Sequence, residues 1–419
     1  MTGQLSVWWD GRVAGSLHLD QHGDMEFTYA LDWLADTNVP ALSFSLPKRV
    51  EAYGRRQCQA FFGGILPEEG QRHAIARALG VSAENEFSLL EHLGGEVAGA
   101  LTLLPDGSAP QQPRDGTPDI LSPDILSRDR ILALLDQLPV RPMLAGEGGL
   151  RLSLAGAQSK LPVLLIDGQV ALPAPGQPTS HILKPPIARF EGTTENEYFC
   201  MTLAAAIGLD VAPVEMRSVA GRPFLLITRY DRAQNADGQL IRLHQEDFAQ
   251  ALGVPSQRKY ASEGGPTFKD SFALLRRAAA RPARDILKLL DAAIFNLIIG
   301  NADAHSKNFS LLHTGGGVAL APLYDLLSTV VYPDLVAKLA MKIAKQATLE
   351  EIQSRHWDAF ADDVGLAAPY VHRRVRQLCD TVLTQIDTPD SALRKRVPED
   401  TGFAPFADLI HDRASKLAC

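Results

Sequence analysis

Residues 297–312 read LIIGNADAHSKNFSLL. The stretch closes one apolar run, DAAIFNLIIG (291–300), and opens another, FSLL (309–312). Between them stand Asn301, Asp303, His305, Ser306, Lys307 and Asn308. Six polar side chains set between core-like segments are costly to bury unless each finds a partner. The upstream run reads as a buried helix. Downstream, FSLLH and VALAPLYD flank TGGG (314–317), a hairpin signal. The order is therefore helix, polar loop, hairpin, and the second strand ends in Tyr324-Asp325.

Phosphoryl transfer needs this arrangement. One Asp orients an attacking hydroxyl or accepts its proton, while an Asn carbonyl and a second Asp hold Mg²⁺ on the nucleotide phosphates. Asp303 fits the first role, and Asn308 with Asp325 the second. The Asp-x-x-x-x-Asn spacing is that of the protein-kinase catalytic loop. The fuller form, Asp303-x-His305-x-x-Asn308, looks more like the loop of aminoglycoside and phosphoinositide kinases. A polar loop that merely caps the preceding helix, with Asn301 and Asp303 on backbone groups, would read the same way.

The other parts of such a site occur upstream in the required order. SLAGAQSK (153–160) puts small residues between two strands, where backbone N–H groups can approach phosphate oxygens; an ordinary β-turn also fits. Lys184, in HILKPP (181–186), is placed to hold the α- and β-phosphates, or is an exposed lysine at a strand end. Its expected partner is a Glu on the next helix, Glu195 or Glu197, with Glu197 preferred. Both also suit the first turn of a helix. FLLITRYDR (224–232) is a strand leading to backbone groups at Thr228, Arg229 and Tyr230 that would receive adenine.

The rest of the chain suits such a frame. With 419 residues and 46% hydrophobic content, it is long enough for two or three domains with real cores. A net charge of −8 with dispersed Lys and Arg argues against coating nucleic acid by charge alone. Cys58, Cys200, Cys379 and Cys419 show no metal or redox spacing and suit a reducing cytoplasm. We read no signal peptide in MTGQLSVWWDG and no apolar run near the ~20 residues of a membrane span. Residues 1–105 read as a small α+β domain with a turn at Asp10-Gly11, strands including ALSFSLP (41–47), and a helix stopped by Gly80. Residues 106–124, rich in Pro, Gly, Asp and Ser, read as a linker. After it comes a short helix with Ser127 as N-cap. Residues 125–265 form a β-rich lobe with one main helix, capped by Thr193 or Thr194, and 266–419 a helical lobe whose only hairpin follows the polar loop. The fold expected is α+β: a kinase-like pair of lobes preceded by a small domain.

At this point a family is recognisable. SLAGAQSKLPV, HILKPP, NEYFCMTLA, RYDR, HQEDFAQALGVPSQRKY, NLIIGNADAHSKNFSLL and LYDLLS, in order from about residue 150 to 330, resemble the HipA family of bacterial serine/threonine kinases. These are the toxin half of HipBA toxin–antitoxin pairs, and the N-terminal unit fits the small domain that precedes the kinase portion. The resemblance implies a catalytic Asp303, and Mg²⁺ on Asn308 and Asp325. It implies ATP lined by His305, Ser306, Lys307 and Asn308, and a phosphate loop of Ala155, Gly156, Ala157, Gln158, Ser159 and Lys160. It further implies inactivating autophosphorylation at Ser153, a helix-turn-helix HipB-like antitoxin, operator DNA reached through that complex, and an aminoacyl-tRNA synthetase as substrate. The polar island would then be paired by Mg²⁺ and nucleotide rather than by protein alone. Two positions depart from the family pattern: Thr228 stands where Glu is common, and Ser159 where an acidic residue is common. A small-molecule phosphotransferase and a co-repressor partner of a DNA-bound antitoxin are the alternatives.

Overall fold

Asp10 and Gly11 both take left-handed backbone angles, φ 48° and 72°. That geometry matches the twist of a two-residue hairpin, and it joins Gln4–Trp9 to Arg12–Leu19 antiparallel. The computed structural model describes residues 3–110, 123–397 and 402–418. Most of the expected linker, 106–124, lies outside the described residues. The first sheet has the order Met25–Tyr29, Arg12–Leu19, Gln4–Trp9, Leu101–Pro105. ALSFSLP is not a strand: it makes only an isolated Ser43–Leu46 bridge. Its polar groups bond elsewhere instead, with Phe44 N donating to the Glu246 carboxylate at 3.1 Å and Ser45 Oγ donating to the main-chain carbonyl of Gln250 at 2.7 Å.

A second sheet runs Asp124–Ile125, Gln169–Leu172, Leu161–Ile166, His181–Lys184, Arg222–Thr228, Val214–Val219. Asp167 and Gly168, φ 48° and 78°, turn its central hairpin as the D-G pair predicts. Ser127 caps the helix Arg128–Gln137 by accepting from Arg130 N at 3.3 Å. Leu5, Phe27, Phe62, Leu161, Val163 and Leu226 belong to one buried cluster, so the two sheets share a core.

By compactness the chain divides into two units. One comprises Met1–Pro185 with Arg217–Gln257, the other Pro186–Met216 with Arg258–Cys419. This grouping differs from the pattern-based division in two main respects, besides a boundary that falls after Gln257 rather than after residue 265. The small N-terminal domain is grouped with the second sheet because their cores merge. The helix Thr193–Ala206 is grouped with the helical part because its side chains pack there: Phe199 stacks on Phe403 at 6.0 Å, and Asn196 bonds Ser328. Neither Thr193 nor Thr194 caps that helix. Its N-cap is Gly192, φ 69°, and Thr193 Oγ1 instead accepts from Ile187 N at 2.9 Å.

The second unit is built on Pro282–Ile299, whose later turns are buried all round, as the unbroken apolar run requires. Phe268–Ala278, Ala368–Asp387 and Ala404–Ala418 pack on it, and Ser354–Val364 packs on the first two of these. Thr267 and Asp270 form a capping box at the start of Phe268–Ala278. Besides the expected hairpin, Ser310–Thr314 with Gly317–Leu320, there is a second, Lys338–Ile343 with Gln346–Thr348. Its turn uses Ala344 and Lys345 at φ 47° and 71°, residues that carry no turn signature in sequence. Among the described residues no helix is long and apolar enough to cross a membrane.

Candidate active site

The helix Pro282–Ile299 ends at Gly300, φ 71°, where a side chain would be strained and would meet Val330 Cγ2 at 2.5 Å. Asn301 N then bonds Asn296 O at 2.8 Å, and the two side chains join, Asn301 Nδ2 donating to Asn296 Oδ1 at 2.8 Å. Asn301 Oδ1 accepts from Asp303 N at 3.1 Å. Ala302 is held from both sides: its N–H donates to Thr329 Oγ1 at 2.8 Å and its carbonyl accepts from Ala340 N at 2.8 Å. The start of the loop, Asn301 to Asp303, is therefore pinned at each backbone N–H. From Asn301 to Ser310 every residue is buried except Asp303, which is exposed.

His305 to Asn308 form a single 3₁₀ turn in which Asn308 Oδ1 accepts from His305 N at 3.2 Å. Asn308 Nδ2 donates to Asp325 Oδ2 at 2.9 Å. The hairpin makes this meeting possible. Tyr324 OH donates to Lys307 O at 2.7 Å and lies 2.7 Å from Ser310 Oγ, so the residue before Asp325 is fixed against the loop. Asp325 itself has φ 59°, an uncommon backbone state for a residue other than Gly. His305 meets the ring of Tyr260 edge-on at 5.5 Å, and Ser306 Oγ donates to Lys259 O at 3.3 Å. Protein groups supply part of the pairing that the polar island needs. Asn301, His305 N and Asn308 are paired by protein groups, because the loop folds back on the helix end and on Asp325. Asn301 also performs the backbone role that a capping loop would give it.

Glu197 shares this unit, on the helix Thr193–Ala206, and is 2% exposed. Glu195, in the first turn, is half-buried.

The remaining sequence-predicted residues belong to the first unit. Ser153 is fully buried, and its Oγ donates to Ile65 O at 2.9 Å. Gly156 has φ 114° and lies against Lys160: an added Cβ would sit 2.6 Å from Lys160 Nζ, which donates to Ala155 O at 2.8 Å. Gly156 O accepts from Glu68 N at 3.1 Å, and Gln71 Nε2 donates to Ser159 Oγ at 3.1 Å. Residues 153, 156 and 159 thus meet 65, 68 and 71 in step. Ala157 is exposed and Gln158 half-buried. Lys184 is not an exposed strand-end residue: it is 5% exposed, paired in the sheet with Leu225.

The segment 228–230 is more committed than its sequence suggests. Thr228 is in ladder register with His181, and Arg229 N donates to Ser180 O at 3.0 Å, so that N–H cannot serve adenine without breaking a bond. Tyr230 OH donates to Gln245 Oε1 at 2.8 Å. The Arg229 side chain joins a buried ion cluster that the sequence reading missed. It grips Asp231 with two bonds of 2.9 and 2.8 Å and reaches Glu96 Oε1 at 3.2 Å. Arg232 donates to Glu96 Oε1 at 2.6 Å, and Arg242 to Glu96 Oε2 at 2.7 Å. Burial alone would raise the Glu96 carboxyl, but Arg232, Arg242 and Arg229 outweigh it and bring it down to about 2. For Asp231 too, Arg229 and Arg232 prevail over burial, and the carboxyl lies well below the ordinary range. The alternation of charge in RYDR was the available signal; Glu96, 133 residues from Arg229, had none.

Two family models match the chain: HipA N-terminal domain over residues 5–104, and HipA-like C-terminal domain over residues 152–386. The chain is 60% identical over 418 residues to a putative kinase, Y4mE, of Sinorhizobium fredii, covering 98% of this chain and 97% of that one. It is 30% identical over 367 residues to the serine/threonine-protein kinase toxin HipA of Shewanella oneidensis, covering 84% and 82%. A solved complex of HipA, HipB and operator DNA from Shewanella oneidensis MR-1 matches with a TM-score of 0.83 and 26% identity, over 98% of this chain and 96% of that one.

Proposed function

Since this chain belongs to the HipA family of toxin kinases and shares its N-terminal domain and kinase-like α+β fold, we propose that it is an ATP- and Mg²⁺-dependent protein serine/threonine kinase. One observation carries the assignment. In a loop buried from Asn301 to Ser310, the single exposed side chain is the carboxylate of Asp303. A fold that buries and pairs the neighbours of one acid presents that acid to a substrate. Asp303 orients the attacking hydroxyl and accepts its proton.

Asn308 and Asp325 are neighbours, Asn308 Nδ2 donating to Asp325 Oδ2 at 2.9 Å, and the side-chain oxygens of the two are the hard donors that would hold Mg²⁺. No cluster of three or more His, Cys, Asp or Glu suited to a metal occurs among the described residues. That fits an ion which takes one or two protein oxygens and completes its shell from phosphates and water. When bound, Mg²⁺ supplies charge neutralisation on the β- and γ-phosphates. Ala155 to Lys160, Lys184, the 228–230 segment and His305 to Lys307 are the proposed ATP contacts. The left-handed Gly156 supports the loop assignment, because it permits a close backbone approach. Glu197 is the proposed partner of Lys184, and Ser153 the site of inactivating autophosphorylation.

In the cell we assign it the toxin role, paired with a HipB-like helix-turn-helix antitoxin and held through it on operator DNA. An aminoacyl-tRNA synthetase is the substrate class we favour. Phosphoproteomics after induced expression, wild type against Asp303→Asn, tests the reading. A synthetase phosphosite present only with wild type is expected. Identical phosphoproteomes would overturn protein-kinase function, and a site only on other proteins would overturn the substrate class.

A further inference from the structure

Asn196 precedes Glu197 on the helix Thr193–Ala206 and is 0% exposed. A buried side-chain amide has two donors and an acceptor to satisfy. Here they converge on one short segment. Asn196 Nδ2 donates to Ser328 O at 2.8 Å and to Tyr332 OH at 3.2 Å, and Asn196 Oδ1 accepts from Ser328 N at 2.8 Å. Cys200 Sγ, one turn along, points at the same oxygen at 3.5 Å. Ser328 is thus gripped at both its N–H and its C=O by a single side chain, three residues after Asp325.

The opposite side of this segment is fastened to the polar loop. Thr329 N and Val330 N donate to Gly300 O at 3.0 and 3.2 Å. Thr329 Oγ1 accepts from Ala302 N at 2.8 Å and donates to Gly300 O at 3.2 Å. Asp325 begins the segment and meets Asn308. Residues 325–332 therefore act as a strut, with the loop of Asp303 on one side and Asn196 on the other. The left-handed backbone of Asp325 is a state the surroundings must impose. Tyr324 holds the segment before Asp325, and a side chain that fixes the peptide groups after it is a second means of imposing that state.

We infer that Asn196 is a positioning residue for the metal-binding carboxylate: by gripping Ser328 it sets where Asp325 stands. This rests on the Mg²⁺ role proposed for Asp325. A loosened strut would misplace the carboxylate without removing it, and displacements of about 1 Å can reduce function about 100-fold.

The test uses the full chain and ATP with and without Mg²⁺, read by equilibrium binding, alongside amide exchange over residues 325–332. In the wild type Mg²⁺ should tighten ATP binding. Asn196→Ala should lose at least about tenfold of that Mg²⁺-dependent tightening, keep its Mg²⁺-free affinity, and exchange the Ser328 amide faster. Tyr332→Phe, which leaves both Ser328 bonds, should keep the tightening. If Asn196→Ala does not fold, Asn196→Ser carries the same expectation. A variant with wild-type tightening overturns the positioning role, as does a parallel loss of affinity with and without Mg²⁺, which marks general structural damage. A wild type that binds ATP equally with and without Mg²⁺ overturns the metal role of Asp325 and the inference with it.

Discussion

Replacing Glu96 by Gln removes one charge and almost no volume, and it should be among the most damaging single changes in the first unit. Glu96 is 1% exposed and accepts from Arg229, Arg232 and Arg242, and from Thr179 N and Oγ1 at 3.0 and 2.9 Å. Arg229 and Arg232 have side chains 1% and 2% exposed. With Glu96 neutral, Asp231 alone faces both buried guanidiniums. Breaking a buried ion pair by removing one partner costs about 3–5 kcal/mol. A second route gives a similar size. The Glu96 carboxyl lies at about 2 against an ordinary 4.5, and that difference corresponds to roughly 3 kcal/mol of stability. Because the folded value is depressed, this contribution is complete above pH 4.5 and is lost as pH falls towards 2. Urea unfolding followed by tryptophan fluorescence suits the measurement, since Trp8, Trp9 and Trp33 lie in this unit and only Trp357 in the other. Glu96→Gln should lose about 3–5 kcal/mol at pH 7, and its deficit against wild type should shrink below pH 4.5. A loss under about 1 kcal/mol at pH 7, or a deficit that does not shrink in acid, would refute the idea that the cluster holds itself together by charge.

Lys184→Ala should raise the KM for ATP through loss of a point charge on the phosphates. Because Lys184 is 5% exposed, we also expect a lower Tm, and an unchanged KM with a lower Tm would leave Lys184 a purely structural residue. Mass spectrometry after incubation with Mg-ATP should find phosphate on Ser153, together with faster amide exchange over residues 153–160, because the buried hydroxyl on Ile65 O must leave its place to react. Phosphate on Ser159 instead would move the site, and none on either would remove autophosphorylation at this loop.

Local rules carried most of the elements. The D-G pairs gave left-handed turns at Asp10-Gly11 and Asp167-Gly168, and the apolar run before Gly300 gave a buried helix. What sequence spacing could not reveal were contacts between distant residues. Glu96 reaches Arg229 across 133 positions, and Asn196 reaches Ser328 across 132. Thr193 looked like an N-cap because cap propensity is local, yet Gly192 in a left-handed state began the helix and Thr193 bonded back to Ile187. ALSFSLP had strand alternation but no strand to pair with; Glu246 and Gln250 took its polar groups. The hairpin at Lys338–Ile343 escaped notice because Ala344 and Lys345 hold a turn normally signalled by Gly or Asn. At the candidate site the order of the parts was legible. The pairing of Asn308 with Asp325, and the exposure of Asp303 alone in its loop, needed the fold.

The most direct test of the central claim is transfer of the γ-phosphate from labelled ATP to protein, by wild type and by Asp303→Asn under the same Mg²⁺ concentration. Asp303 is exposed, so the substitution should leave the fold and the melting temperature unchanged. We expect wild type to label protein and Asp303→Asn to do so ~10³-fold more slowly or not at all, the effect that the role proposed for Asp303 on the attacking hydroxyl requires. Near-normal labelling by a correctly folded Asp303→Asn would contradict the assignment.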